Sequence, residues 1–350
     1  MSRALPVLLA LVPLTFVSCG EKADTGILPE GDTDADADGD TDTDADTDAL
    51  CAKAVPCVGD YSLLSEFDIE ELQLCETISG RLSVQGQKWL KSLDLQCLTT
   101  VGSMSITDNG ALTAVNLSNL VSVDGELQVV FVDALQTLDL SRLSTVSGTA
   151  AISGNPVLRS VDLPRLQSVD GHVVIGSNAL LTTIEMPDLT TAVDGLVVSH
   201  CDALTTMDVG SLTTLGTLTI GDNDALSALV MPVLSSVSSV ELHANDALRS
   251  VEMPSLVSVA GQLSFAGDDA LSSLGDFSSL TTLAGYLVIE DMGALTSLDG
   301  LSGLSAIGSG LFVYYNDLIC QSDAEAFAAS IEVGGTVTVE DNGSARTDCP

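Results

Sequence analysis

The sequence predicts an all-β solenoid: a right-handed parallel β-helix of about 11 coils of 22–24 residues, closed by short capping helices at both ends. Three observations predict it. The phrase [ILV]-x-x-N-x-x-L returns at a nearly fixed interval, its Asn slot falling at Gln87, Asn109, Val132, Asn155, Asn178, Cys201, Asn223, Asn245, Asp268, Met292 and Asn316. An aliphatic alternation precedes most slots, as in Leu127/Val129 and Leu287/Ile289, usually with a Gly two residues earlier, as at Gly102, Gly125 and Gly285. No repeated segment reaches the length of a helix, and period-two alternation is a strand signature. A fixed period near 23 residues means one supersecondary unit stacked on copies of itself.

The chain opens with "MSRALPVLLALVPLTFVSCG", one Arg followed by an apolar run from Leu5 to Val17. That run is short of the ~20 apolar residues a spanning helix needs, so residues 1–18 read as a secretory signal. Its end, Val17-Ser18-Cys19-Gly20, resembles a bacterial lipoprotein signal, which implies that Cys19 becomes the lipidated first residue. Gly20 and Glu21, with no Asp after the Cys, suit an outer-membrane destination.

Residues 19–50 follow as an acidic Asp/Thr/Ala spacer, with nine Asp between Asp32 and Asp48. Such a segment buries no apolar surface and repels itself, so it is expected to be extended and disordered. Asp34, Asp36, Asp38 and Gly39 match the start of a calcium loop, but Ala45 stands where the bidentate Glu belongs. Weak calcium association, with this spacer or with an acidic row described below, is the only cation chemistry expected; no cofactor or resident metal is. The formal charge of −38 makes nucleic acid an unsuitable partner.

Residues 51–349 hold the solenoid, with caps at 51–79 and 319–349. "SEFDIEELQLC" (Ser65–Cys75) has an N-cap Ser, early acids and apolar Phe67, Ile69, Leu72 and Leu74, which reads as a capping helix. Each coil then has three segments: a first strand before the slot, a second in "L-x-x-[LVI]-x-[LM]-P" as in Leu158–Pro164, and a third in "L-x-x-V" as in Leu166–Val169. Stacked about 4.8 Å apart, eleven such coils form a rod on the order of 50 Å long. An Asn repeated at one buried corner forms a ladder, its side chain bonding backbone groups of the coils above and below that no strand pairs. Asn109, Asn155, Asn178, Asn223, Asn245 and Asn316 are its expected rungs, and Cys201, in the same slot, reads as a buried substitute rather than a reactive thiol. "SDAEAFAASI" (Ser322–Ile331) reads as a second helix, followed by a strand at Thr336–Val339.

With these motifs in view the chain resembles the receptor L-domain family, leucine-rich-repeat-like right-handed β-helices of receptors and bacterial surface proteins. The resemblance covers about residues 57–349 and rests on "CVGDYSLLSEFDIEELQLCETISGRLSV", on phrases such as "VGSMSITDNGAL", and on the closing "LICQSDAEAFAASIEVGGTVTV". It implies a Cys57–Cys75 disulfide. Beyond Cys19 and Cys201, six cysteines cluster at the two ends, where caps need staples. Pairing Cys57 with Cys75 and Cys320 with Cys349 leaves Cys51–Cys97 by elimination. Zinc is the alternative, but no CxxC pair or nearby His supports it.

Two outward rows are candidates for function. The second strands carry Asp94, Asn116, Asp139, Asp162, Glu185, Asp208, Val230 and Glu252, then Asp299 after an irregular coil near Asp276. Stacking sets these side by side, where like charges repel, so the row either meets cationic partners or keeps a face soluble. Asp94, Asp139, Asp162, Glu185, Asp208 and Glu252 are the candidate binding face. The first-strand row (Ser83, Ser105, Gln128, Ala151, Val174, Val197, Thr219, Glu241, Ser264, Val288, Phe312) is neutral and partly apolar, suited to another protein. A third row (Thr145, Ser168, Thr214, Ser236, Thr282) reads as plain solvent face.

The expected protein is a non-enzymatic, lipid-anchored surface module that binds or adheres, its partner an unidentified surface protein, glycan or cationic ligand. The alternatives are a polysaccharide-acting β-helix enzyme and a structural surface-coat component. Against an enzyme stand the uniform coil length, the single Trp89, and His172, His200 and His243 in different coils. No catalytic constellation is assembled from these residues.

Overall fold

The computed structural model describes residues 50–345 together with 347 and 349. The expected signal at 1–18, Cys19 and all but the last residue of the spacer lie outside the described residues. The described chain is a parallel β-solenoid of about 12 turns. Its strand pairings are parallel throughout, from Val55–Cys57 on Cys75–Ile78 at one end to Thr336–Glu340 on Gly310–Tyr314 at the other. A single aliphatic core runs from Cys57 to Ile331, built from the inward positions of every coil.

The three expected segments are present, with one difference. The third segment of one coil and the first strand of the next are often one bent strand, as in Thr100–Thr107, Thr214–Gly221 and Ser236–His243. The recurrent Gly marks that bend. A Cβ on Gly216 would lie 2.1 Å from the Asp194 carbonyl oxygen, and one on Gly285 2.0 Å from that of Gly261. Backbone stacks directly on backbone there, leaving no room for a side chain.

A second regularity carries no single residue signature. In each coil the residue before the Asn slot has positive φ, whether Gly86, Gly154 and Gly267 or Asp108, Phe131, Ser177, His200, Asp222, Ala244, Asp291, Tyr315 and Asp341. Left-handed backbone is unfavourable for most side chains, so the stack imposes it. This turn swings the next side chain into the interior.

Hydroxyls at the outer corners tie coils together. Thr190 donates to the Gln167 carbonyl at 3.0 Å, Thr213 to Thr190 at 3.2 Å and Ser235 to Thr213 at 3.0 Å. The plain Ser/Thr row therefore adjoins a ladder: in the doublets Thr213-Thr214 and Ser235-Ser236 the first residue bonds the preceding coil.

The caps follow expectation, within shorter bounds. Helix α1 spans Glu66–Leu72, where Asp68 accepts from the amides of Ser65 (2.7 Å) and Leu64 (2.8 Å) to anchor the first turn. Leu72 is buried, but Phe67 points out, 81% exposed. Helix α2 spans Gln321–Ala329. Disulfides join Cys51–Cys97, Cys57–Cys75 and Cys320–Cys349, the expected three pairs, each fastening a cap.

Candidate functional site

The inner Asn file is the most tightly specified polar arrangement, and it is dry. Asn109, Asn155, Asn178, Asn223, Asn245 and Asn316 are each 0% exposed. The Oδ1 of Asn178 accepts from the Asn155 amide at 3.0 Å, while its Nδ2 donates to the Ile152 carbonyl at 3.0 Å. Asn109, Asn155, Asn223 and Asn316 repeat that pair of bonds. Both reach back to the preceding coil, and the Nδ2 groups of Asn223, Asn245 and Asn316 also donate to the Oδ1 in the next slot, so these rungs bond the coils on both sides as expected. The file gains a further rung at Asn342, whose Oδ1 accepts from the Asn316 amide at 3.3 Å and whose Nδ2 donates to Val313 at 2.9 Å. Helix α2 stretches the interval to 26 residues and hides that rung from a periodic reading.

Two slots depart chemically. Cys201 is fully buried, and burial pushes its thiol up to about 11, so it stays protonated and inert. Asp268 is also fully buried, and desolvation pushes its carboxyl up to about 6. Its Oδ1 accepts from both the Asn245 amide and the Asn245 Nδ2, at 2.9 Å each, while Oδ2 has no partner. The register of the file sets the Leu242 carbonyl opposite that oxygen, where an Asn would donate.

The second-strand row is in register but divided. Asp94, Asn116 and Asp139 lie on one small sheet, Asp162, Glu185 and Asp208 on another, and Val230 and Glu252 on a third. Asp276, bridged to Glu252, continues the row. A local rule explains much of its composition. Where the residue two positions on has an N–H, the side chain accepts from it: Asn116 from Ser118 (3.1 Å), Asp139 from Ser141 (3.0 Å), Asp208 from Gly210 (3.1 Å) and Asp276 from Ser278 (3.0 Å). Bonds from Ser278 hold the Asp276 carboxyl below its ordinary value. Where that residue is Pro164, Pro187, Pro232 or Pro254, no N–H exists, and the row holds Asp162, Glu185, Val230 and Glu252. Asp94 instead accepts from the Asn116 amide group at 2.9 Å.

A second acidic file lies beside the slot, its residues standing in a repeated Asp-Ala-Leu that follows Asn, Cys or Asp. Asp202, Asp224, Asp246 and Asp269 follow the slot in consecutive coils. The Asp224 carboxyl is raised by desolvation and then by the charges of Asp246, Asp202 and Asp222. Beside them the Asp222 Oδ2 lies 3.6 Å from His200 Nε2 and 3.9 Å from His243 Nδ1. The structure thus gathers His200 and His243 around one carboxylate, while His172 lies apart on another strand. Among the described residues no three His, Cys, Asp or Glu converge to hold a metal ion.

The first-strand sheet, with 21 strands the largest of the described sheets, presents one outward face. Its central row runs in unbroken register from Ser83 through Ser105, Gln128, Ala151, Val174, Val197, Thr219, Glu241, Ser264, Val288 and Phe312 to Thr338. Ser, Thr and Val dominate it until the C-terminal coils, where aromatics gather. The Tyr286 and Phe312 rings lie 6.1 Å apart and those of Tyr314 and Tyr315 5.3 Å apart, edge to face. The Tyr314 hydroxyl donates to Glu290 at 2.8 Å, and burial followed by that bond pushes its pKa up to about 12.

No family model, no curated protein and no solved structure matches this chain.

Proposed function

We propose that this chain is a binding module of the cell surface, exported and lipid-anchored through Cys19, held off the membrane by its acidic spacer, and without a reaction of its own. One observation carries the reading: the twelve registered positions from Ser83 to Thr338 form a single side-chain grid along the whole solenoid. A parallel stack turns one row of sequence into one row of surface, so a neutral and partly apolar row offers an extended contact strip. The likeness to receptor L-domains, resting on the residues quoted above, agrees with this reading. The second-strand acids support it less, because Asp139, Asp208 and Asp276 cap their own turns.

The test captures ligands from a surface extract and a glycan panel on the immobilised chain. Two variants are compared with the parent: Val174→Arg with Val197→Arg on the sheet face, and Asp162→Asn with Glu185→Gln and Asp208→Asn on the other. The reading expects capture by the parent, loss with the first variant and retention with the second. Equal capture by all three, or none by the parent, refutes it.

A further inference from the structure

We infer that the C-terminal end of the sheet face is a binding site for a basic polypeptide segment, its guanidinium or ammonium groups seated on aromatic rings between carboxylates. This names the partner chemistry for one part of the surface proposed above and rests on that reading. The site is a small grid made by three consecutive coils. Tyr286, Val288 and Glu290 pair with Gly310, Phe312 and Tyr314, which pair with Thr336, Thr338 and Glu340. The next position along each coil, in the left-handed turn, is Asp291, Tyr315 and Asp341.

An aromatic middle rung is therefore bracketed on both sides by acids: Tyr314 by Glu290 and Glu340, Tyr315 by Asp291 and Asp341. Tyr286 is 48% exposed and Tyr315 53%. Gly310 keeps the floor open, since a Cβ there would lie 3.0 Å from Phe312 Cε2 and 3.2 Å from Tyr286 Cδ1. Its absence lets the two rings lean together over the sheet. Aromatics are 3% of the chain, so four in three coils on one face stand out against the Ser, Thr and Val of the other coils.

Charge decides the occupant. Between Ser250 and Ala345 the sequence holds thirteen Asp and Glu and not one Lys or Arg, so among the described residues these carboxylates have no basic side chain in their own coils. A cation over a ring face gains from the ring quadrupole, and acids around the ring add to that field and speed encounter. Glu290 and Glu340 stand two strand spacings apart, about 10 Å. An extended chain presents same-side residues about 7 Å apart, so an Arg at every second position sets successive charges over the rings and acids together.

The test measures binding of an alternating Arg-Ser peptide to the full-length chain, with a Gln-Ser peptide and a neutral oligosaccharide as comparisons. The expected result is salt-sensitive binding of the Arg-Ser peptide alone. Tyr286→Ala with Phe312→Ala should weaken it at least tenfold, and Glu290→Gln with Glu340→Gln should weaken it similarly while flattening the salt dependence. These side chains lie outside the core, and an unchanged thermal midpoint verifies that each variant folds; Phe312→Leu, which keeps bulk without the ring, should also bind weakly. The triple variant Asp162→Asn, Glu185→Gln, Asp208→Asn should bind as the parent does. An equal loss in that triple variant would reduce the effect to net charge and overturn the site, as would binding indifferent to the ring variants, no peptide binding, or preference for the oligosaccharide. If the peptide fails while surface capture still depends on Val174 and Val197, this site falls and the wider reading stands.

Discussion

Two files of side chains climb this solenoid at the same pitch, one inside the corner after the first strand and one outside the second strand. Inside, Asn178 and its counterparts each close two hydrogen bonds to the coil before them, in a place water does not reach. Outside, Asp139 and Asp208 close one bond, to their own turn, with solvent at hand. A missing bond in the interior leaves a buried donor and a buried acceptor unsatisfied, whereas a missing bond at the surface is replaced by water. The inner slot accordingly returns to Asn in most coils, while the outer position drifts between Asp, Asn, Glu and Val. Periodicity alone does not mark importance; the dielectric around each repeat does.

The largest effect expected from breaking this comparison is Asn178→Ala. It orphans the Asn155 amide and takes from the Ile152 carbonyl its side-chain donor, leaving that carbonyl only its strand ladder. At about 1–3 kcal/mol for the buried unsatisfied amide and about 1 kcal/mol for the lost bond to the carbonyl, the loss should be about 2–4 kcal/mol, measured by denaturant unfolding with disulfides intact. A loss below about 1 kcal/mol would mean that the corner admits water and the inside–outside contrast fails.

Asp268 sharpens the contrast because it is an inner rung with the chemistry of an outer one. Its carboxyl is raised by burial from 3.8 to about 6, so the folded chain favours the protonated form more than the unfolded chain does. Stability from this group is therefore fully present below about pH 4, is lost as pH rises towards 6, and stays lost above it. Two pK units correspond to roughly 3 kcal/mol. Protonated, Oδ2 gains a hydrogen to donate, as the Asn Nδ2 does in other rungs. Asp268→Asn should remove this dependence and raise stability at pH 7 by about 1–3 kcal/mol. The quantity to measure is the difference between parent and variant across pH 4–8, which cancels the repulsion among the chain's other acids. A difference that does not change with pH would place Asp268 in contact with solvent.

The same contrast explains which features the sequence disclosed. The Asn slot and the disulfide-bonded caps were legible because interior sterics and hydrogen bonding permit few residues there, and the first-strand row followed from its fixed distance to the slot. The left-handed turn was half legible: Gly86, Asp108, Gly154, Asp222, Gly267, Asp291 and Asp341 suit positive φ, but Phe131 and Tyr315 do not. Stacking forces that conformation on them, so no local propensity reveals it. The Tyr286–Tyr315 grid was missed for another reason. Its ends are 29 positions apart in the chain and become neighbours only when two coils are laid in register. In Asn-Asp-Ala-Leu the Asn and the Leu bear the pattern, and the Asp between them passed as filler.

The smallest expected effects separate the two halves of the outer row. Asp139 accepts from the Ser141 amide, so Asp139→Ala should cost about 0.5–1 kcal/mol, while Asp139→Asn, which keeps an acceptor oxygen, should be nearly neutral. Asp162 precedes Pro164 and caps no turn; its bond is to the Ser160 hydroxyl at 2.9 Å, and Glu185 stands beside it in register. Asp162→Asn relieves like-charge repulsion and should stabilise by a few tenths of a kcal/mol at low salt, fading as salt rises. Thermal midpoints of the three variants at two ionic strengths suffice. If Asp162→Asn instead destabilises, and a chelator added to the parent reproduces the loss, then Asp162 and Glu185 hold a divalent cation in solution. The outer row would then be a site in its own right, bound by chemistry as demanding as that of the inner one.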